Sequence, residues 1–404
     1  MDNIKQFFPR ILPVFGLNMN MGFLLGGFVA LLPFLREDFG LTRAEVGLFT
    51  TSLFGASLFT AIFAGNLIDR IGVQKSLFIG GIMMGISAGL FGFSPFYSLV
   101  LFFALFVGLG ECILTPAGNK AIMDRAGGKI NNTILGLFRS GPGFGALIGA
   151  SLLPALATQF GWRPVSLVGP IIFVGLSLYI FFRGDFKTDQ EEKKGRPSLK
   201  GELKIFLGDS HCRFAVLLGF SFAVVLSVVV TYLPLWLHEG PGLSLTLAGI
   251  GLGVSRLGGV LGRPFWGYLA DLKGNQEKIL LWEGGAVALI VLIFSFFGSN
   301  LALWMLMLLA FSIGFAGMGF EGVYFGFLGK IVGIERTGTM TGLALTFFRL
   351  AVMTLPPLFG FLADKTSSYS ISWLLVSVFP VISIIYYFLE VKGKKTLACN
   401  NAPG

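Results

Sequence analysis

Five ionisable side chains lie inside long apolar stretches of the sequence, where an unpaired charge is costly. They are Glu111, Arg139, Arg256, Glu321 and Arg349. A carboxylate beside an arginine in a poorly hydrated cavity can take up a proton when its partner is drawn away. A guanidinium keeps its charge and binds a carboxylate through two parallel hydrogen bonds. These residue types therefore suit the handling of protons and small anions.

Four of these residues predict two ion pairs, one in each half of the chain. At about 1.5 Å per residue, Glu111 and Arg139 lie roughly 13 and 10 Å from the same end of their helices, so they can meet. Glu321 and Arg349 follow at the same spacing, 210 positions later. Two interpretations stay open: structural salt bridges between neighbouring helices, or groups that handle protons or substrate.

Arg256 has no comparable partner. It lies in the stretch GLGVSRLGGVLGRPFWG without an acidic residue on its own segment, and position 54 in the first half is Phe. An anionic substrate could neutralise this guanidinium. The alternative is a bond to Glu321 or to backbone carbonyl groups. Arg263, next to Pro264, is predicted to lie closer to the membrane surface.

The elements that hold these residues are predicted to be membrane-spanning helices. Of the 404 residues, 54% are hydrophobic and 13% are charged, and the mean hydropathy is +0.80. A helix needs ~20 apolar residues to cross a bilayer, and only helices satisfy their own backbone groups there over such lengths. Thr42 and Glu45 form a predicted capping box at the start of the second segment. Twelve segments qualify, at approximately 11–34, 46–68, 76–96, 97–119, 133–159, 164–182, 214–237, 245–270, 279–297, 302–329, 338–363 and 371–389.

Basic residues are distributed unevenly between the two sides of the predicted bundle. Only Arg36, Arg43, Arg163 and Lys365 lie on the side opposite the termini. Since basic loops stay in the cytoplasm, both termini are predicted to be cytoplasmic, and the short loops favour a bacterial inner membrane. The net charge of +9 then reflects this asymmetry and attraction to anionic lipid, so nucleic-acid binding is not expected.

The chain divides into two halves with one plan. The residues GNLIDRIGVQK at 65–75 recur as GYLADLKGNQE at 267–277, 202 positions later. Parallel repeats of this kind are typical of transporters that bind substrate between their halves. The predicted domains are an N-terminal six-helix bundle at 1–183, a cytoplasmic linker at 184–213, a C-terminal six-helix bundle at 214–390 and a cytoplasmic tail at 391–404.

The stretch at 65–75 resembles the signature that the major facilitator superfamily carries between its second and third helices. That signature is Gly, three residues, Asp, Arg or Lys, one residue, Gly, two residues, Arg or Lys. The first copy fills every position, with Gly65, Asp69, Arg70, Gly72 and Lys75. The second copy keeps Gly267, Asp271 and Gly274 but has Leu272 at the basic position. The resemblance implies an all-α fold of twelve transmembrane helices in two pseudo-symmetric six-helix bundles.

The resemblance also implies roles for individual residues. Gly65 and Asp69 share a helix face, so a neighbouring helix can place its positively polarised N-terminus near the carboxylate. In the family this neighbour is the eleventh helix, and the contact latches the outward-facing state; the alternative is a set of charges around a tight turn. The family lines its cavity with helices 1, 4, 7 and 10, whose polar side chains bind substrate or else join helices. The candidates there are Asn18, Asn20, Thr231 and Tyr232.

These observations predict a secondary active transporter that works by alternating access. The predicted substrate is a small organic anion, a carboxylate, and symport with protons stays open. The alternative is a proton-coupled exporter of drugs or amphipathic compounds, although the first helix lacks the acid that many drug-exporting relatives carry there. An enzyme is not expected, because the sequence has no His cluster, nucleophile motif or phosphate loop. Neither a cofactor nor a metal site is predicted, and a monomer is expected.

Overall fold

The computed structural model describes residues 2–125, 132–183, 208–332 and 334–392. Some side chains within these ranges are outside the description, among them those of 56–66, Asp69, 132–140 and 334–340. Every regular element in the described ranges is helical, which confirms the all-α prediction.

The helices follow one another with short connections. The first half contains α1 Asp2–Ala30, α2 Leu32–Phe39, α3 Arg43–Ile71, α4 Val73–Phe91, α5 Tyr97–Arg125, α6 Asn132–Phe160, α7 Trp162–Val165 and α8 Val168–Arg183. The second half contains α9 Ser210–Glu239, α10 Leu245–Lys273, α11 Gln276–Phe297, α12 Leu303–Gly317, α13 Glu321–Val332, α14 Ile334–Thr366 and α15 Ser370–Tyr386. A 3₁₀ turn at Gly298–Asn300 follows α11, and a π-helical turn at Tyr387–Val391 extends α15.

Eleven helical segments of the described chain are long and apolar enough to cross a bilayer. They include Trp162–Arg183, which joins α7 and α8, and Leu303–Val332, which joins α12 and α13. The predicted span 46–68 lies within α3, where the side chains of 56–66 are outside the description. The chain is therefore an integral membrane protein, and the count of twelve spans stays a prediction.

The helices pack closely within each half, and the two halves meet mainly in two places. In the first half α1 packs on α6, and α4 packs on α5 and α8. In the second half α9 packs on α14, and α11 packs on α15. Most contacts between the halves come from α3 with α14 and from α6 with α10. The predicted linker and tail lie largely outside the described residues, so the bounds of the four predicted domains stay predictions.

An aromatic cluster anchors one end of the second half. The buried ring of Trp373 lies near Trp236, Phe294 and Phe359, at centroid distances of 5.7, 5.2 and 5.0 Å. Aromatic pairs at such distances contribute about 0.5–1.5 kcal/mol each beyond the area they bury. The cluster joins α9, α11, α14 and α15 and thereby fixes the ends of α9 and α14 that face the first half.

The start of α3 confirms the predicted capping box. Thr42 Oγ1 accepts the backbone N–H of Glu45 at 3.2 Å, and Glu45 Oε2 accepts that of Thr42 at 2.8 Å. A helix begins with four backbone N–H groups that lack partners within the helix. The box satisfies two of them and leaves those of Arg43 and Ala44.

Candidate functional site

The membrane span that carries Glu321 is broken in its middle. Helix α12 ends at Gly317, residues 318–320 form a turn, and α13 begins at Glu321. Irregular backbone at membrane depth is tolerated where other groups take up the free backbone atoms. In secondary transporters such breaks occur at substrate sites near the midplane. The groups around Glu321, at this break, are therefore candidates for a substrate site.

Side chains of α10 fill the break. Trp266 Nε1 donates to the carbonyl of Phe315 at 2.8 Å. Arg263 Nε donates to the carbonyl of Met318 at 3.4 Å. Arg263 Nη2 also forms an ion pair with Glu321 Oε2 at 3.0 Å. Helix α10 thus contacts both the backbone groups and the carboxylate of the interrupted span, and Arg263 lies at the break; its predicted position near the membrane surface stays a prediction.

Arg256 lies on the same face of α10 as Arg263, because seven residues are close to two helical turns. Its Nε is buried and has no hydrogen-bond partner in the described part of the chain. Arg263 repels this guanidinium and Glu321 attracts it. The Glu321 carboxylate is paired with Arg263, whereas Arg256 retains a buried donor without a partner in the described structure.

Glu111 and Arg349 interact across the boundary between the halves. Glu111 Oε2 is buried without a hydrogen-bond partner among the residues that the structure describes. Among the residues that the structure describes, Arg349 acts on this carboxyl group electrostatically. The side chain of Arg139 is outside the description, so its predicted pairing with Glu111 stays a prediction.

The structure corrects the other predicted pair. The sequence pairs Glu321 with Arg349, but the Glu321 carboxylate contacts Arg263. The physical reason is the break at 318–320, which sets the first turn of α13 against α10 within reach of that arginine.

The two candidate asparagines of α1 face other helices of the first half. Asn20 is buried, and its Nδ2 donates to the carbonyl of Gly169 at 2.9 Å, which ties α1 to α8. Asn18 lies over Gly118 of α5, with its Nδ2 3.0 Å from the place that a Cβ on this glycine would occupy. Asn18 is partly exposed, so it presents more surface to a ligand than Asn20 does.

Thr231 and Tyr232 bridge the two halves. The buried Thr231 hydroxyl lies 2.7 Å from that of Thr50 on α3. The Tyr232 hydroxyl lies 2.7 Å from the carbonyl of Arg43 and 2.8 Å from that of Pro356. In this conformation both side chains join helices, which is the alternative role that the sequence leaves open for them.

Charged groups close the same end of the molecule. Asp364, near the end of α14, accepts the backbone N–H groups of Arg43 and Ala44 at 3.0 and 2.8 Å. These are the two donors that the capping box leaves at the start of α3, where the helix dipole favours a carboxylate. A residue of the second half thus completes the first turn of a helix in the first half.

Glu239 extends this contact. It pairs with Arg36 of α2 and with Arg43 Nη2, the latter at 2.9 Å, and it accepts from the Tyr369 hydroxyl at 2.9 Å. Burial raises the pKa of Tyr369 to about 12, so this hydroxyl keeps its proton at neutral pH. We call this network the closed gate; it consists of Arg36, Arg43, Glu239, Asp364 and Tyr369.

The signature motif is described in part. Gly72 ends α3 with a φ of 84°, which favours glycine, and the side chains of Arg70 and Lys75 are exposed. The side chain of Asp69 and the surroundings of Gly65 are outside the description. The predicted contact of Asp69 with the start of α14 therefore stays a prediction.

The second copy of the motif makes no comparable contact among the described residues. Asp271 is exposed, and a Cβ on Gly267 would meet nothing described within 4 Å. Gly274 takes a left-handed conformation, with a φ of 61°, at the end of α10. In this conformation the copy forms the end of α10, and its predicted latch role stays a prediction.

Sequence reasoning missed the roles of Arg263 and Asp364. The seven-residue distance between Arg256 and Arg263 places both on one helix face and could have drawn attention to the second arginine. Asp364 follows Gly360 by four residues, the spacing of Gly65 and Asp69 in the signature motif. A search for that spacing elsewhere would have found it.

Residues 14–350 match the family model of the Major Facilitator Superfamily. The chain is similar to the hexuronate transporter of Bacillus subtilis (strain 168), with 23% identity over 385 residues and 90% of each chain covered. It is also similar to a probable sulfoacetate transporter of Cupriavidus necator, with 24% identity over 366 residues, covering 85% of this chain and 84% of the relative.

A solved structure shares the fold. It is a bacterial homologue of the human lysosomal transporter Spinster in an inward-facing and unoccupied conformation. The TM-score is 0.75 at 18% identity, and the match covers 95% of this chain and 96% of the other. Together with the family match over most of its length, this fold shows that the chain belongs to the Major Facilitator Superfamily.

Proposed function

We propose that this chain is a secondary transporter of small organic anions in which Arg256 binds the anionic group of the substrate. The observation that carries the proposal is the buried Arg256 Nε, which has no hydrogen-bond partner in the described structure and lies on the helix that packs against a broken span. A guanidinium cannot lose its charge here, so a carboxylate suits both its charge and its donors. The names of the two relatives support this proposal, since hexuronate and sulfoacetate are organic anions.

Substrate reaches this arginine by alternating access in our proposal. The closed gate and the hydroxyls of Thr231 and Tyr232 hold the halves together at one end, so the opposite end admits substrate in this conformation. With both termini in the cytoplasm of a bacterial inner membrane, as the basic loops indicate, that opposite end is cytoplasmic. A monomer contains both halves of such a pathway.

Glu111 is the proton-carrying group in this proposal. Its buried Oε2 has no hydrogen-bond partner among the described residues, and the arginine that acts on it, Arg349, belongs to the other half. When the halves rock, the distance between Glu111 and Arg349 changes. The stabilisation of the ionised Glu111 carboxylate by this arginine changes with that distance. Proton uptake and the conformational change are thereby linked.

Counterflow in proteoliposomes tests the transported class. Vesicles loaded with unlabelled hexuronate or sulfoacetate should take up the same labelled anion when they contain the wild-type protein. Arg256→Lys keeps the charge but cannot form two parallel hydrogen bonds with a carboxylate, so the affinity for the anion should fall by about tenfold. Arg256→Ala should abolish exchange. Arg163→Ala, which removes a surface arginine, should behave as wild type. Exchange of amphipathic drugs in place of organic anions would contradict the proposal and favour the exporter alternative.

A further inference from the structure

Among the described side chains, the cluster at the broken span contains Arg256, Arg263 and Glu321, which are two guanidinium groups and one carboxylate. Glu321 Oε2 contacts Arg263 Nη2 at 3.0 Å, and Arg263 Nε also donates to the carbonyl of Met318. Arg256 Nε has no hydrogen-bond partner in the part of the chain that the structure describes. Glu321 therefore pairs with Arg263, and Arg256 stays available to a ligand.

The charges of this cluster do not balance. Arg256 and Arg263 contribute two positive charges, and Glu321 contributes one negative charge. A ligand with one negative charge neutralises the remainder, whereas a ligand with two brings an unpaired negative charge into a site at membrane depth, which is costly. The two relatives leave this question open, because hexuronate carries one acidic group and sulfoacetate carries two.

We propose that Glu321 sets the charge of the transported anion. By holding Arg263, it limits the site to the single carboxylate that Arg256 binds, so monoanionic acids are preferred to dianions of the same size. Without the charge of Glu321, Arg263 becomes available to a second carboxylate. The inference rests on the proposed function, since it requires that Arg256 contacts substrate.

A purely structural role for the Arg263–Glu321 pair makes a different prediction. If the pair only closes the break in the span, its loss changes stability and affects all substrates alike. If the pair sets the charge of the site, its loss changes the ratio of dianion to monoanion affinity. The ratio of two KM values therefore separates the two roles.

The test compares D-gluconate with D-glucarate in counterflow. Both have a six-carbon chain, and they differ in carrying one or two carboxylates; D-galactonate and D-galactarate form a second such pair. Wild-type protein should prefer the monoanions. Glu321→Gln should raise the relative preference for the dianions by about tenfold, the change expected when one charge-assisted hydrogen-bonded contact is gained.

A surface ion pair provides a matched control. Arg163 Nη2 contacts Asp38 Oδ2 at 2.9 Å with side chains 38% and 42% exposed, against 37% and 38% for Arg263 and Glu321. Asp38→Asn should leave the substrate ratio unchanged. An unchanged ratio in Glu321→Gln, or a wild-type preference for dianions, would overturn the inference and leave the role of Arg256 intact. If wild-type protein exchanges no organic anion, the proposed function fails and the inference fails with it.

If Glu321→Gln does not fold, a second variant tests whether Glu321 sets the charge of the transported anion. Arg263→Gln releases the Glu321 carboxylate, which then competes with substrate for Arg256. The KM for D-gluconate should rise by about tenfold in this variant. A KM equal to that of wild type would overturn the inference.

Helices α3 and α14, which join the two halves, carry the same spacing of residues near their ends. The spacing of Gly65, Asp69 and Arg70 near the end of α3 recurs near the end of α14, as Gly360, Asp364 and Lys365. Helix α14 ends at the closed gate, where α3 begins. The two aspartates therefore lie near opposite ends of the contact between α3 and α14.

At the closed gate, an aspartate of one half caps the start of a helix in the other half. The signature motif is expected to form the same kind of contact at the opposite end of the molecule. The Asp364 carboxylate caps the start of α3 through the N–H groups of Arg43 and Ala44. A Cβ on Gly360 would collide with the Arg43 carbonyl and the Tyr232 hydroxyl, so α3 lies directly over this glycine. Small residues allow such close approach of helices in membranes.

We infer that α3 and α14 carry reciprocal latches. Asp364 caps the start of α3 while this end of the molecule is closed, and Asp69 caps the start of α14 while the other end is closed. Rocking of the halves exchanges one cap for the other. Loss of either carboxylate then shifts the conformational equilibrium, and the two losses shift it in opposite directions.

Spin labels across the gate test this inference. In a protein whose three native cysteines are replaced, labels are attached at the exposed positions Thr158 and Ala302, one in each half at the gated end. Asp364→Asn should increase the population with a long label distance by about fivefold, and Asp69→Asn should decrease it. Asp38→Asn should leave the distribution unchanged. Shifts in the same direction, or an unchanged distribution in Asp364→Asn, would overturn the reciprocal arrangement.

Discussion

The carboxylate of Asp364 meets the backbone N–H of Ala44 at 2.8 Å, across the boundary between the two halves. This contact and its neighbour at Arg43 complete the N-terminal cap of α3, which Thr42 and Glu45 begin. When the halves separate here, two backbone donors at the start of α3 lose their partner and water must replace it. A rocking motion of the halves therefore exposes the Asp364 carboxylate and the backbone N–H groups of Arg43 and Ala44 to water at the same time.

Tyr232→Phe should weaken the gate without altering its charges. The variant removes the hydroxyl that lies between the carbonyls of Arg43 and Pro356, and one such hydrogen bond contributes about 1 kcal/mol. The label distance between Thr158 and Ala302 should then show a larger open population. Because the ring and its packing remain, the thermal stability of the protein should change little. A distance distribution identical to that of wild type would contradict the bridging role of this hydroxyl.

Arg263 and Glu321 should show coupling in a double-mutant cycle. Their ion pair is about one third exposed, so solvent screens it and the expected coupling is about 1 kcal/mol rather than the larger value of a fully buried pair. The cycle uses Arg263→Gln, Glu321→Gln and the double variant, with unfolding in detergent as the measurement. A coupling energy near zero would mean that the pair contributes nothing measurable to stability.

Hydropathy and capping patterns predicted the helices well, because both depend on local sequence. The capping box at Thr42 and Glu45 is confirmed by its hydrogen bonds, and α3 begins where it was expected. The membrane-spanning, all-α architecture also follows from apolar length alone. These features need no knowledge of how distant segments meet.

The pairing of Glu321 was wrong because it depends on a break that local patterns do not show. The stretch around residues 318–320 contains glycines but no proline, and its hydropathy is that of an uninterrupted span. Once the span is broken, Glu321 stands at the start of α13 beside Arg263. Matching the two halves of the sequence could not supply this contact.

Glu111→Gln should separate exchange from accumulation. The variant cannot carry a proton at this position, so proton-driven uptake should be lost while counterflow of the anion continues. An imposed pH gradient across proteoliposomes measures the first activity, and exchange without a gradient measures the second. Uptake that still follows the pH gradient would show that Glu111 does not carry the proton.

Glu111→Gln, Arg139→Gln and the double variant test the predicted pair within the first half. If the two residues meet, each single variant leaves a buried charge unpaired at a cost of roughly 3–5 kcal/mol, and the double variant recovers part of the loss. Unfolding in detergent measures the three changes. Equal damage in all three variants would indicate that the two side chains do not meet.

Stability should fall at high pH partly through Tyr369. Burial raises the pKa of this hydroxyl from 10.0 to about 12, so its contribution is fully present below pH 10 and is lost as the pH rises through 12. The difference in melting temperature between wild type and Tyr369→Phe should therefore shrink between these values. A difference that stays constant over this range would contradict the buried, protonated state of the hydroxyl at the gate.

The central claim is that Arg256 binds the anionic group of the substrate. The most direct measurement is titration calorimetry of purified wild type and Arg256→Ala with the organic anion that wild type exchanges in counterflow, at one ionic strength. The account predicts saturable binding to wild type and none to Arg256→Ala, with both proteins equally folded. Binding of the anion to Arg256→Ala with wild-type affinity would contradict the account.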